Sequence, residues 1–151
     1  MQKMVIVILM TVLPVCAWAN TSEAICKELK AVTKQLQQQT PMEVDYMTTL
    51  TGVQSIYVGD TCHLNYNYLV KSRILLKEMQ EANSLSLEDN LAHLQTEEGR
   101  SSLQSSFDSI AQNSAKANFA EFRNVKGMQI SYYYTFDDLE LQAIKAWVLK
   151  N

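Results

Sequence analysis

The side chains best suited to catalysis in this chain are two histidines, His63 and His93, and the neighbouring cysteine, Cys62. The histidines lie far apart in the sequence, and no serine, cysteine or carboxylate forms a nucleophile motif with either of them. Cys62 adjoins His63, but neighbouring residues on a strand point to opposite faces of a sheet, so they do not form a nucleophile pair. The sequence therefore predicts no catalytic residue, and we expect a protein that is not an enzyme.

The three cysteines predict one disulfide. Cys16 lies in an apolar N-terminal segment, which leaves Cys26 and Cys62 as a pair. Zinc ligation is the alternative, but zinc sites are usually built from closely spaced ligands, and the chain has no C-x-x-C or H-x-x-x-H motif. In an oxidising compartment such a pair forms a disulfide. We therefore predict a bond between Cys26 and Cys62, no metal site and no cofactor.

Two further pairs of residues are candidates for binding. An aspartate three residues before a threonine, as at Asp45 and Thr48, can order a turn through hydrogen bonds from the backbone to its side chain. We predict this structural role, with ligand binding as the alternative. Most of the seven tyrosines fall on predicted strands. Tyr57 and Tyr133 are expected to face outward, where exposed tyrosines commonly serve protein recognition.

The first nineteen residues have the layout of a secretory signal peptide. A charged start precedes an apolar run over residues 5–16, which ends in the small-residue triplet Ala17-Trp18-Ala19. The apolar stretch is shorter than the roughly 20 residues that cross a membrane as a helix. We predict cleavage after Ala19. The remaining residues, 20–151, would form a single domain in the periplasm or outside the cell, without a stable membrane anchor.

Hydrophobic periodicity predicts a helix, two strands, further helices and two more strands. The first helix spans residues 20–39, with Asn20 as its cap and an apolar stripe that includes Val32. The other predicted segments are strands over 43–58, 61–77, 128–136 and 141–149, and a helical stretch over 86–124 interrupted at Gly99 and over 112–117. We expect an α+β fold, in which an N-terminal helix and further helices pack on a small antiparallel sheet of about four strands.

Three short patterns occur in a fixed order along the chain. Residues 41–50 match P-x-x-V-D-x-x-T-x-L, a Y-x-Y strand follows at 66–68, and Gly127 precedes a second Y-x-Y strand at 132–134. In these features the chain resembles a family of small, exported, functionally uncharacterised bacterial proteins. The resemblance implies a cystatin-like architecture. Family members carry one cysteine at the head of the late helix and another near the C-terminus, which this chain lacks, so its disulfide is placed differently.

These observations lead to a functional hypothesis with two alternatives. We expect an exported, non-enzymatic protein that binds another envelope or secreted protein through the open face of its sheet or through an edge strand. A fainter similarity to the pilotins of type II secretion systems, over residues 125–130, implies a chaperone that takes a partner helix into an apolar groove. The third hypothesis is a small hydrolase that uses Glu43 and Asp45. The formal net charge of -3 argues against binding to nucleic acid.

Overall fold

A computed structural model describes residues 21–137 and 141–150, so the predicted export signal lies outside the described residues. In chain order the elements are α1 (Ser22–Gln37), β1 (Met42–Glu43), β2 (Thr48–Val58), β3 (Thr61–Val70), α2 (Ser72–Asn83), α3 (Leu87–Leu94), α4 (Glu97–Asn118), a 3₁₀ helix (Ala120–Asn124), β4 (Met128–Phe136) and β5 (Ile144–Lys150). The chain therefore has a mixed α+β fold.

The five strands of the described chain form one sheet in the order β1-β2-β3-β4-β5. β3 and β4 pair in parallel, whereas the other three pairs are antiparallel. The predicted antiparallel sheet of about four strands is therefore wrong in two respects. First, α2, α3 and α4 connect β3 to β4, and a helical crossover returns the chain to the end of the sheet where β3 began. Second, β1 has only two residues, too few to show an alternating pattern.

The helices α1 and α4 cover the same side of the sheet. Cys62 of β3 and Met128 of β4 are in-register neighbours, so alternate residues from each of them share one face. α1 joins this face through the disulfide between Cys26 and Cys62. α4 joins it through Ser114, whose hydroxyl oxygen lies 3.2 Å from that of Tyr132. We call this side the helix face and the opposite side the open face.

The first helix begins with a side-chain cap and packs a polar residue against the sheet. Thr21 is the N-cap of α1 and accepts a hydrogen bond from a backbone N–H of the first turn. The predicted cap, Asn20, lies outside the described residues. Val32 was predicted to lie on the buried stripe, but it is exposed. Thr33 is buried in its place, with its hydroxyl 3.3 Å from that of Ser55 on β2.

The strand predicted to continue to residue 77 ends at Val70, and α2 follows it. This helix is capped by a residue from another part of the chain. Asp137 follows β4, and its Oδ1 accepts a hydrogen bond of 2.6 Å from the backbone N–H of Ser72, while the Ser72 hydroxyl donates to the Asp137 carbonyl. A carboxylate at a helix N-terminus satisfies a free N–H and complements the helix dipole. Local sequence patterns do not contain such a cap.

The break between α3 and α4 falls at Thr96, not at Gly99. The Thr96 hydroxyl accepts a hydrogen bond of 3.0 Å from the backbone N–H of Gly99, which caps α4. Gly99 lies within the first turn of α4, where a Cβ atom would overlap with the carbonyl of His93. The glycine therefore permits two helices to approach closely and does not interrupt one. Residues 112–117, also predicted as a break, continue α4.

Four tyrosines form an aromatic layer on the helix face under α4. The layer consists of Tyr66, Tyr68, Tyr132 and Tyr134, together with Phe107 and Phe119. Tyr66 and Tyr132 lie 5.4 Å apart and Phe107 and Tyr134 lie 4.4 Å apart between ring centroids. Burial raises the pKa of all four tyrosine hydroxyls above its ordinary value. For Tyr132, the hydrogen bond with Ser114 acts in the opposite direction and lowers the pKa.

Two glycines with positive φ provide a matched test of local packing. Gly127 has φ +72°, and a Cβ atom there would lie 2.5 Å from the Asp60 carbonyl oxygen. Gly59 has φ +57°, but a Cβ atom there would meet nothing within 4 Å. We expect Gly59→Ala to lower the free energy of unfolding by about 1–2 kcal/mol through backbone strain. Gly127→Ala should cost about 1–3 kcal/mol more, because of the added steric overlap.

Urea denaturation of the two alanine variants and the wild-type protein measures this difference. Both variants replace glycine with alanine at a similar positive φ. The difference between their free energies of unfolding therefore measures the cost of the steric overlap at Gly127. Equal losses of stability would show that the close approach at Gly127 is relieved at little cost.

Candidate functional site

The predicted disulfide is present and joins α1 to β3. Cys26 and Cys62 are bonded with their Cα atoms 5.5 Å apart, and both side chains are buried. A buried sulfur in a disulfide is neither a nucleophile nor a metal ligand. In residues 21–137 and 141–150, no group of three His, Cys, Asp or Glu side chains could hold a metal ion. The bond is therefore a structural element that fixes the first helix on the sheet.

Asp45 orders the turn between β1 and β2. Its Oδ1 accepts hydrogen bonds from the backbone N–H groups of Met47, at 2.8 Å, and Thr48, at 2.6 Å. The carbonyl of Thr48 accepts in turn from the N–H of Val44, at 3.0 Å. The carboxylate is thus engaged with its own backbone, as in an Asx turn. The geometry fits the turn-ordering role.

Glu43 and Asp45 do not form the acid–base pair that a hydrolase needs. Glu43 is exposed on the short edge strand β1, and its Oε1 accepts a hydrogen bond of 2.6 Å from Lys71. This bond, together with the charge of Lys71, lowers the pKa of Glu43. A general acid in a glycosidase-type site requires a raised pKa, and Asp45 is already committed to its turn. The two carboxylates therefore give no support to the hydrolase hypothesis.

Two shallow clefts lie along the seam between α4 and β5. They have volumes of about 150 and 200 Å³, and Leu103 and Ile144 line the first, while Phe119 and Leu149 line the second. Small-molecule sites are usually about 300–1,000 Å³, and a groove for a partner helix must be longer still. Between these clefts the space between helices and sheet is filled by core side chains. Neither cleft is thus a groove of the kind that the pilotin-like hypothesis requires.

Tyr57 and Tyr133 lie on opposite faces of the sheet. Tyr57 pairs with Cys62, which places it on the helix face at the exposed end of β2. Tyr133 lies on the open face and is half-buried, with the Nζ of Lys145 4.9 Å from its ring centroid. A bulge between Leu50 and Gly52 shifts the alternation of β2 by one residue. The two tyrosines therefore do not form one recognition surface.

The open face carries three exposed apolar side chains of the sheet. Pairing of β2 to β5 places its side chains in three rows: Ile56, His63, Gln129 and Lys150; Gln54, Asn65, Ser131 and Trp147; and Asn67, Tyr133 and Lys145 beside Gly52. Ile56 is 44% exposed, Trp147 38%, and Val58 at the end of β2 61%. Between them the hydroxyl of Ser131, which is 1% exposed, donates a hydrogen bond of 2.7 Å to Asn65. The face thus has a flat polar centre between two apolar ends.

Trp147 is flanked by two lysines of its own strand. The Nζ atoms of Lys145 and Lys150 lie 3.9 and 5.2 Å from the centroid of the indole ring. Both distances are within the range of cation–π attraction. Sequence reasoning missed this group, because Lys150 is three residues beyond Trp147 and strict alternation assigns it to the other face. A bulge opposite Ile130 and Ser131 brings Lys150 to the open face, where Lys145 already lies by ordinary alternation.

Each long edge of the sheet is bound by a glutamine side chain from a helix. On β2, beyond the two residues paired with β1, the backbone N–H of Val53 donates a hydrogen bond of 2.8 Å to Gln37 of α1. On β5, Gln104 of α4 donates a hydrogen bond of 3.1 Å to the carbonyl of Lys145. An added strand would have to displace these side chains. The edges are therefore less available for a partner than the open face.

Comparisons with known proteins give one distant likeness. No family model and no curated protein matches the sequence. A crystal structure of a Pseudomonas aeruginosa protein predicted to be secreted resembles the chain with a TM-score of 0.45 and 14% identity, covering 82% of this chain and 89% of that one. At this level of similarity we draw no conclusion from it. None of the helices in the described segments is long and apolar enough to cross a membrane.

Proposed function

We propose that the protein is exported and non-enzymatic, and that it binds another envelope or secreted protein through the open face of its sheet. The observation that carries this proposal is the exposure of Ile56, Val58 and Trp147 on the sheet face opposite α1 and α4. Exposed apolar and aromatic side chains with a polar surround are typical of protein interfaces. The glutamines at both edges favour the face over strand addition.

Several observations support the exported, non-enzymatic part of the proposal. The N-terminal segment has the layout of a signal peptide, and a buried disulfide suits an oxidising compartment. The resemblance to exported proteins with the P-x-x-V-D-x-x-T-x-L pattern agrees with this location. The two carboxylates considered for a hydrolase are engaged elsewhere, with Asp45 in a turn and Glu43 in an ion pair.

Affinity capture from the exported fraction tests the proposal, with variants that separate the open face from the rest of the surface. The bait is the tagged wild-type protein, and the test variant combines Ile56→Ser and Trp147→Ser. The matched control combines Val32→Ser on α1 and Ile110→Ser on α4, which are also exposed apolar residues. Circular dichroism checks that all baits are folded.

We expect the wild type and the control to recover the same protein in stoichiometric amount, and the open-face variant to lose it. Losing an apolar anchor in the centre of an interface costs about 2 kcal/mol or more, which corresponds to at least a tenfold lower affinity. Equal recovery by the two double variants, or no stoichiometric partner at all, would contradict the proposal.

A further inference from the structure

We infer that the partner of the open face is an acidic polypeptide segment, held by Lys145 and Lys150 on either side of Trp147. The inference rests on the proposed function and specifies the chemistry of the partner. We call Tyr133, Lys145, Trp147 and Lys150 the cationic patch. Its residues lie on the adjacent strands β4 and β5 of the open face.

The contacts within the cationic patch leave its ammonium groups able to bind an anion. Elsewhere in the described chain, Lys71 pairs with Glu43 and Lys77 pairs with Glu81. Lys145 contacts the rings of Tyr133 and Trp147 instead, and Lys150 contacts the ring of Trp147. An ammonium group over a ring keeps N–H donors that can reach a carboxylate. The rings therefore position two cations without neutralising them.

The charged side chains of the strands make the open face attractive to an acidic partner. In the described strands the charged side chains are Glu43, whose charge is paired with Lys71, and the two lysines of β5. The other acidic residues of the described chain lie on the helices and turns, and the whole chain has a formal net charge of -3. An approaching acidic segment is therefore attracted by the cationic patch, and α3 and α4 carry an excess of acidic residues that disfavours the same segment there. Complementary charge thus favours an anionic occupant in one orientation.

The strand register gives the spacing that the partner must match. The row of Lys150 crosses the sheet through Gln129 and His63 to Ile56. Three steps between neighbouring strands separate its ends, which is about 14 Å. An extended chain covers this distance in about four residues. The occupant therefore carries carboxylates over β5 and an apolar residue about four positions away over β2.

A polypeptide fits these features better than an acidic polysaccharide. Sugars bind to proteins by stacking on bare aromatic rings, whereas the indole of Trp147 already has two ammonium groups near it. The other end of the row is Ile56, and Val58 lies beyond it on β2, both exposed. Aliphatic side chains of this kind suit the apolar residues of a protein. We therefore assign the surface to an acidic protein segment.

Tryptophan fluorescence can report binding at this patch directly. The chain has two tryptophans, of which Trp18 lies in the predicted export signal, so Trp147 is the only indole of the protein cleaved after Ala19. The probe is a poly-L-glutamate peptide, with poly-L-lysine as the probe of opposite charge and polygalacturonate as an acidic polysaccharide. We expect a saturable change in the emission of Trp147 with poly-L-glutamate, weakened by added salt, and no change with poly-L-lysine.

Matched charge variants decide whether the patch itself is responsible. Lys145→Gln with Lys150→Gln should weaken the binding of poly-L-glutamate by about tenfold. Lys27→Gln with Lys30→Gln removes the same charge from the exposed side of α1 and should leave binding nearly unchanged. Equal weakening by the two double variants, no saturable change, or tighter binding of polygalacturonate than of poly-L-glutamate would overturn the inference.

The capture experiment separates this inference from the function on which it rests. Suppose that the variant with Lys145→Gln and Lys150→Gln still recovers the partner, whereas the serine variant, with Ile56→Ser and Trp147→Ser, loses it. The inference then fails and the proposed function stands. If the serine variant recovers the partner as well as the wild type does, the proposed function fails. Loss of the partner from both variants supports both statements.

Discussion

Replacing Cys26 and Cys62 together with alanine is expected to lower the free energy of unfolding by about 4 kcal/mol, because the bond closes a long loop. The two cysteines are 36 residues apart in the sequence. Removing the link restores conformational freedom to the unfolded chain, while the buried alanines leave only small gaps in the folded one. The loss is large beside the roughly 5–15 kcal/mol that stabilises a typical domain.

Chemical denaturation of the wild type, the reduced wild type and the double alanine variant measures this effect. Reduced wild type and variant should unfold at nearly the same denaturant concentration, since both lack the link. Their transitions should also be steeper, because the unfolded chain without a cross-link exposes more surface. A loss below about 1 kcal/mol would mean that the packing of α1 on the sheet, not the bond, fixes this helix.

The features predicted correctly depend on few or nearby residues. Counting the cysteines outside the N-terminal segment leaves one pair, and that pair forms the bond. The turn at Asp45 requires only hydrogen bonds to residues two and three positions later. Alternation over β3 and β4 places Tyr66 and Tyr132 in the core. In each case the structural feature follows from residues within a short segment or from the number of cysteines, so the sequence alone is enough to predict it.

The features that were missed depend on residues far apart in the chain. The N-terminus of α2 is capped by Asp137, so the local pattern after Val70 could be mistaken for a continuing strand. The bulges in β2 and β5 change which face a side chain occupies, and they move Tyr57 to the helix face and Lys150 to the open face. A bulge reverses the assignment of every residue beyond it. Gly52 is a local sign of the bulge in β2, because an isolated glycine in a strand often marks one, whereas the bulge in β5 has no glycine.

Local sequence patterns also failed to predict the candidate site, because its residues are far apart in the chain. Its residues come from β2, β4 and β5, and only the order of strands in the sheet brings them to one face. Trp147 and its lysines lie in a segment where apolar residues occur at both odd and even positions. Alternation therefore does not show which of these side chains face the core. The cationic patch becomes visible once the register of β5 against β4 is known.

Raising the pH above about 10 is expected to unfold the protein cooperatively, because of its four buried tyrosines. Burial raises the pKa of Tyr66, Tyr68, Tyr132 and Tyr134 in the folded state. Below about pH 10 both states keep these hydroxyl protons, so the four tyrosines do not make stability depend on pH. Above it the unfolded chain loses protons that the folded chain retains, and the free energy of unfolding falls. A tyrosine that is ionised in the unfolded chain and protonated in the folded one contributes about 1.4 kcal/mol per pH unit, so four such tyrosines together contribute at most about 5.6 kcal/mol per pH unit.

Urea denaturation at a series of alkaline pH values, together with the ultraviolet absorbance of tyrosinate, measures this dependence. Tyr66→Phe removes one of the four buried hydroxyls and should reduce the slope of stability against pH by about a quarter. Tyr57→Phe, at an exposed position of β2, serves as the control and should leave the slope as in the wild type. The outcome that contradicts the argument is ionisation of all the tyrosines near pH 10 in a protein that stays folded. Such a result would mean that water reaches the aromatic layer under α4, and that the layer does not hold the sheet and this helix together.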